Sequence, residues 1–454
     1  MPPGGNGVIS MGPGCPVVLP LTIAHQCGQA FRWRKVLVPL QGKESRRLEW
    51  SLCLRDRVVF VTQDGANHSL AHRTVYNSNP EPFSTAAWLR DYLNLDTPAS
   101  QWFAEWSEKD PIFAKHANRF SGGNILRQDP WECLCAFICS SNNNIPRISQ
   151  MVHKLCEHFS PLLHVEQYPK GSRLCHSLDV NELAEASTDA LCLAYHPFPT
   201  PSRLAEPDVE GRLRELGFGY RAKYLAQTAY ALCEKARESL GFNASAEKID
   251  QRVYANLLEL RSLSYHDARN QLLPLSGVGP KVADCILLMS LDQASSIPVD
   301  RHVFQFAERW YGIRTKRYEE VAEKLRAVWG ERAGWAHSFL FYADLPSLDF
   351  YDSNDHMGAY NTEEDKKQDL LLSSAHQTEF DQEMGPEAKL DTTQYPYLTV
   401  KSEPDETSLN LVIKDDSHLS DTPETIKHEQ SSPDEPHQRP TLKRARTARH
   451  RAKP

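Results

Sequence analysis

The spacing of apolar residues changes character twice along the 454-residue chain. Between residues 16 and 105, apolar and polar positions alternate in stretches such as "LEWSLCLRDRVVFVTQ" (48–63). A period of two sends successive side chains to opposite faces and predicts strands. One segment there, "TAAWLRDYLNL" (85–95), is spaced as a helix. From residue 110 to 345 apolar positions recur every three or four residues, the period of a helix with one buried face. Examples are "PWECLCAFICSS" (130–141), "RISQMVHKLCEHF" (147–159), "RAKYLAQTAYALCEKARESL" (221–240), "DARNQLL" (267–273), "KVADCILLMSL" (281–291), "RHVFQFAERWYG" (301–312) and "YEEVAEKLRAVWG" (318–330). Breaks fall at "SNNNIP", "LGFGY" and "LSGVG", which carry the Asn, Gly and Pro that end helices. The pattern predicts an α+β protein with a small antiparallel β domain over residues 15–109 and a mainly helical domain over 110–345. Beyond 346, Asp, Glu, Ser, Thr and Pro dominate. Such a segment buries too little apolar surface to offset its ordering entropy, so 346–454 is expected to be a disordered acidic tail.

Charge sharpens this division. Of the 51 Lys+Arg and 59 Asp+Glu, 13 and 22 fall in residues 346–454, which leaves the remainder close to neutral. The body is not basic enough for its overall field to point to nucleic acid, so such a function must rest on a local site. The 11 cysteines are scattered, none follows Cys285, and no C-x-x-C occurs. That argues against a zinc ribbon or an iron–sulfur cluster and for buried, reduced thiols. No run of 18 apolar residues suits a membrane span, and "MPPGGNGVIS" lacks the features of a secretory signal.

The candidate chemistry sits at "SGVGPKVADC" (276–285). A helix, a tight turn with Gly277 and Gly279, and a second helix would expose successive N–H groups beside a positive helix end, a site suited to a phosphate. A GxG by itself is more often an ordinary joint between helices. Lys281 adds to it. In the first turn of a helix the dipole disfavours a cation, and partial burial does so again, so a neutral nucleophilic amine becomes more accessible. Cys285 and Met289 share its face at four-residue spacing. In "IPVDRHVFQF", Asp300 is placed as a helix N-cap flanked by Val299 and Phe304 as a staple. A carboxylate there can also stabilise positive charge on a sugar ring.

The hairpin "SGVGPKVAD" followed by "PVD" resembles the helix–hairpin–helix DNA glycosylase superfamily. "GQAFRWR" (28–34), "LRQDPWECLCAFICSSNNNIPRI" (126–148), "LGFGYRAKYL" (216–225) and "GWAHSFLFYADL" (334–345) narrow this to a resemblance to the 8-oxoguanine DNA glycosylases, in order from about residue 15 to 345. The resemblance implies a two-lobed helical core beside the β domain, with duplex DNA bound in the cleft. It implies excision of 8-oxoguanine opposite cytosine, followed by β-elimination at the abasic site. Lys281 then matches the Schiff-base nucleophile and Asp300 the essential aspartate. Cys285 and Phe341 match the pair that sandwiches the flipped base, with Met289 in the adjoining wall. Gly28 matches the glycine whose carbonyl reads N7–H, present in 8-oxoguanine and absent from guanine. Asn142 corresponds to the residue that fills the vacated stack. Arg147, Tyr220 and Arg221 correspond to contacts around the orphaned cytosine, and His302, Gly277 and Gly279 to backbone contacts. One position departs from the family. His337 stands where glutamine usually faces the Watson–Crick edge, which predicts a titration of activity near neutral pH that a His337→Gln variant lacks.

This chemistry calls for no metal or other cofactor, although a structural cation at the hairpin is compatible with it. The chain is expected to act as a monomer. The alternatives are a non-catalytic hairpin module that only binds DNA, and a superfamily glycosylase with another lesion preference. In the tail, "VKSE" and "IKHEQSSP" resemble acceptor motifs for a small ubiquitin-like modifier at Lys401 and Lys427. The last 15 residues carry six Lys/Arg and no acid, which suits a nuclear address, with mitochondrial import left open.

Overall fold

The computed structural model describes residues 5–345 and Leu348, apart from 12–16, 41–45, 65–68, 79, 176–189 and 242. The expectations for the tail, Lys401 and Lys427 included, lie outside the described residues.

The strands are β1 Gly5–Ser10, β2 Arg34–Pro39, β3 Arg46–Cys53, β4 Arg57–Asp64, β5 Ser69–Tyr76, β6 His164–Gln167, β7 Arg173–Cys175 and β8 Cys192–Tyr195. Six of them form one sheet in the order β1-β5-β4-β3-β2-β7, and β6 pairs with β8. Every pairing is antiparallel. The sheet therefore extends beyond residues 15–109, taking β1 from before them and β7 from the helical half. Both faces of β4 are covered. Val59 and Val61 join the main core, whereas Val58 and Phe60 pack with Val36 and Val38 and with Tyr168, Leu193 and Tyr195 from the β6–β8 region. This explains why "RVVFV" reads as a continuous apolar run.

The helical body is centred on Pro130–Cys139, in which every residue but Glu132 is buried. Asp129 caps it and Pro130 occupies its first turn. Helix Pro280–Ser290 packs directly against it. Around this pair stand Ile145–Phe159, Arg221–Leu240, Tyr265–Leu272, Arg301–Tyr311, Tyr318–Trp329 and Ala333–Ala343. The main core runs without interruption from the sheet into these helices, so the β layer is a fixed wall of the helical body. Among the described residues no helix is long and apolar enough to cross a membrane.

Candidate active site

Five helices with their caps and three turns supply the candidate residues. Lys281 is the second residue of helix Pro280–Ser290, behind a Pro at the first position. Its aliphatic stem is half-buried, and its Nζ lies 5.2 Å from the centre of the Phe137 ring. The amine donates to Ser140 Oγ at 3.4 Å, while Ser140 donates its own proton to Phe137 O at 2.7 Å. Cys285, one turn along, is buried and its side chain interacts with the lysine. Burial pushes the Cys285 thiol up to about 11, the nearby amine only partly opposing this, so it is a neutral thiol at physiological pH. Met289, a further turn down, is part of the buried core.

Asp300 caps helix Arg301–Tyr311, accepting from His302 N at 2.9 Å and Val303 N at 3.1 Å through one carboxylate oxygen. Its charge acts on both Cys285 and His337, as does that of Lys281, so acid and amine lie within electrostatic range of the same two side chains. His302 follows the cap. Its Nδ1 lies 2.8 Å from Asp344 Oδ2, and Arg309 pairs with the other oxygen of Asp344. The His302 ring meets Phe341 edge-on at 5.8 Å.

His337 and Phe341 lie four residues apart on helix Ala333–Ala343, with their rings stacked at 6.1 Å. His337 is only 4% exposed, and neither ring nitrogen has a hydrogen-bond partner. The Gly334 carbonyl, three residues back, favours a proton on the ring and also accepts from Ser338 Oγ at 2.9 Å. Burial dominates and lowers the imidazole to about 4. The expectation of a titration near neutral pH is therefore corrected: desolvation keeps this ring uncharged throughout the physiological range.

Gly28 ends a short turn with φ 72°, the left-handed region that favours glycine. A Cβ there would stand 3.4 Å from Phe341 and 3.8 Å from Ile145. The turn is anchored by Gln29, which sequence reasoning did not single out. Its buried amide donates to Asn124 O at 2.9 Å and Tyr342 Oη at 2.7 Å, and its oxygen accepts Leu126 N at 3.0 Å. The first β-domain turn is thereby fixed to the helix that carries Phe341.

The three asparagines after Ser141 have separate tasks. Asn144 caps helix Ile145–Phe159 through Arg147 N at 2.9 Å, and Asn143 ties back to Cys139 O at 2.9 Å. Asn142 is exposed with φ 46°, at the tip of the turn. Tyr220 Oη and Arg221 Nε both donate to Ser141 O, at 2.8 and 3.0 Å, and Arg221 Nη2 reaches Asn142 O at 2.8 Å. Arg221 is buried, so here it braces the Asn142 turn, while the Tyr220 ring stays 45% exposed. Arg147 is exposed and leans on Gly217 O at 3.3 Å. At the hairpin the two glycines differ. Gly277 has φ 80°, and a Cβ there would meet Tyr224 at 2.7 Å. Gly279 has φ −90° and is extended, a conformation open to any residue. Its value lies in capping position, not in unusual dihedrals. Ser140 and Phe137 were also missed individually. Both lie inside a motif string, yet nothing in their spacing ties them to Lys281, which is far away in sequence.

A half-buried lysine, a carboxylate and a buried imidazole in electrostatic range of one another, beside a helix–hairpin–helix, make a candidate enzyme site. Residues 16–134 match the 8-oxoguanine DNA glycosylase N-terminal domain, and residues 135–331 match the HhH-GPD superfamily of base excision DNA repair proteins. The N-glycosylase/DNA lyase of Arabidopsis thaliana is 34% identical over 338 residues, covering 73% of this chain and 78% of the relative. The chain belongs to the 8-oxoguanine DNA glycosylase family. It is a DNA N-glycosylase and DNA lyase of base excision repair. The Saccharomyces cerevisiae N-glycosylase/DNA lyase is 33% identical over 345 residues, covering 70% of this glycosylase and 82% of the yeast enzyme. Among solved structures, the Clostridium acetobutylicum 8-oxoguanine glycosylase/lyase, in complex with double-stranded DNA containing cytosine opposite 8-oxoguanine, superposes with a TM-score of 0.51. It is 27% identical, over 72% of this chain and 91% of that one.

Proposed function

We propose that this glycosylase excises 8-oxoguanine paired with cytosine, using Lys281 as a covalent nucleophile and Asp300 as its electrostatic partner. The carrying observation is that the Lys281 amine and the Asp300 carboxylate both act electrostatically on the same two buried side chains, Cys285 and His337, with Lys281 one helical turn before Cys285. A base within the duplex hides C1′, so the nucleotide must first be extruded. The Asn142 turn, with exposed Tyr220 beside it, suits the task of filling the gap. The flipped base enters between Cys285 and Phe341, and the Gly28 carbonyl accepts N7–H. Guanine would present a lone pair there instead, a difference of about 1–3 kcal/mol.

The Lys281 Nζ lone pair forms a bond to C1′ as the C1′–N9 bond breaks and its electron pair leaves with the base. Asp300 offsets the positive charge that develops on the sugar. The nitrogen gives up a proton to the departing base, the C1′–O4′ bond breaks with O4′ taking a proton from water, and the resulting iminium acidifies C2′–H. Loss of that proton expels the 3′-phosphate and cleaves the strand. Borohydride reduction during turnover on an 8-oxoguanine·cytosine duplex should leave protein joined to DNA, and Lys281→Gln should abolish the adduct. A trapped adduct that survives in Lys281→Gln would defeat the assignment. Equal rates opposite cytosine and adenine would defeat the pairing preference.

A further inference from the structure

Asp284 lies three residues beyond Lys281 and is wholly buried. Four groups converge on it from three other segments. Tyr265 Oη donates to Oδ1 at 2.8 Å and Tyr318 Oη donates to Oδ2 at 2.5 Å. Ser296 Oγ lies 3.0 Å from Oδ1, and Arg269 forms an ion pair at 3.5 Å. The Tyr318 hydroxyl is also an acceptor: Val299 N donates to it at 3.2 Å. Its single proton goes to the nearer of two acceptors, Asp284 Oδ2 and not Ile297 O at 3.3 Å, which leaves a lone pair for the Val299 N–H immediately before Asp300.

We propose that Asp284 and Tyr318 are positioning residues that set the Asp300 carboxylate against the Lys281 amine. Asp284 is rigidly part of the helix that carries Lys281, while Val299 is the residue before the Asp300 cap. Tyr318 bridges the two through one oxygen atom. Ser296 fixes the same segment from its other end, and Ala294 O accepts Gly334 N at 2.9 Å from the helix that bears His337 and Phe341. The segment 294–299 is thus the joint at which the three helices of the site meet. A buried, fully partnered carboxylate restricts geometry more tightly than apolar packing, because each of its bonds has a direction. Displacing a catalytic group by about 1 Å can cost roughly a hundredfold in rate.

This inference rests on the assignment of Lys281 and Asp300 above, and the test separates the two. Single-turnover excision on an 8-oxoguanine·cytosine duplex is measured for the full chain, Tyr318→Phe, Asp300→Asn and the double variant, with thermal unfolding alongside. Tyr318→Phe keeps the ring and removes only the bridging oxygen. We expect it to slow excision by about ten- to a hundredfold, and to add less than about twofold once Asp300 is Asn, while its effect on unfolding is the same in both backgrounds. An equal slowing in both backgrounds, or an unchanged rate in Tyr318→Phe, would overturn the positioning role. Asp300→Asn with full activity would overturn the catalytic assignment first. If Tyr318→Phe does not fold, Ser296→Ala cuts the brace from the loop side and carries the same comparison.

Discussion

His337 couples pH to stability in a way that its burial fixes. Its imidazole titrates at about 4 in the folded enzyme and at 6.5 when free of the fold. The folded value is the lower one, so the unfolded state binds the extra proton first as pH falls. Stability attributable to the neutral ring is complete above 6.5 and is lost as pH drops from 6.5 towards 4. Each unit of separation corresponds to about 1.4 kcal/mol, so about 2 kcal/mol should disappear between pH 7 and pH 5. Glutamine at this position does not titrate. The unfolding free energy of the native enzyme minus that of His337→Gln should therefore fall by about 2 kcal/mol over that interval, whatever the offset between them at pH 7. Urea unfolding at several pH values measures the difference. The excision rates of the two forms, taken over pH 6–8, should keep a constant ratio, because the ring stays neutral there. A stability difference that does not change between pH 7 and 5 would refute the claim that the imidazole is buried and uncharged. A ratio of rates that bends near 6.5 would do the same from the functional side.

Other substitutions test other parts of the site. Asp300→Asn keeps an N-cap acceptor and should cost only a few tenths of a kcal/mol, whereas Asp300→Ala should cost about 1 kcal/mol; excision should fall in both, as measured by urea unfolding beside single-turnover kinetics. Arg221→Met removes donors from the Ser141 and Asn142 carbonyls and should cost about 1–3 kcal/mol, with slower flipping of a fluorescent base analogue. Gly277→Ala places a methyl group 2.7 Å from Tyr224 in a left-handed conformation. That variant should lose more than about 1 kcal/mol of stability, and its affinity for undamaged duplex should drop together with the slope of its salt dependence.

What could be read from the residues depended on whether the controlling interaction was local. Helix Pro280–Ser290 and the Asp300 cap were legible, because a cap needs only its own residue and the next three. The outer cover of the sheet was not. Strands β6 and β8 are four residues each, separated by 24 residues in the chain, and the alternation in "HVEQ" is too short to distinguish from a loop. Helix Ala333–Ala343 was read only through likeness, since its residues are apolar almost all round and show no polar face. Within the site, the shared face of Lys281 and Cys285 followed from spacing, but the neutrality of His337 did not. A histidine's charge is set by what surrounds it, and here the surroundings come from helices on both sides of a fold in the chain. The same reasoning explains why Asp284 went unnoticed. In sequence it is one polar residue in an apolar helix, and its partners Tyr265, Ser296 and Tyr318 lie 12 to 34 residues away. A wholly buried carboxylate cannot remain in a core without such partners. An isolated Asp inside an apolar helical run is therefore itself a signal: it marks a place where other segments must converge, and in this enzyme that place is the joint beneath Lys281 and Asp300.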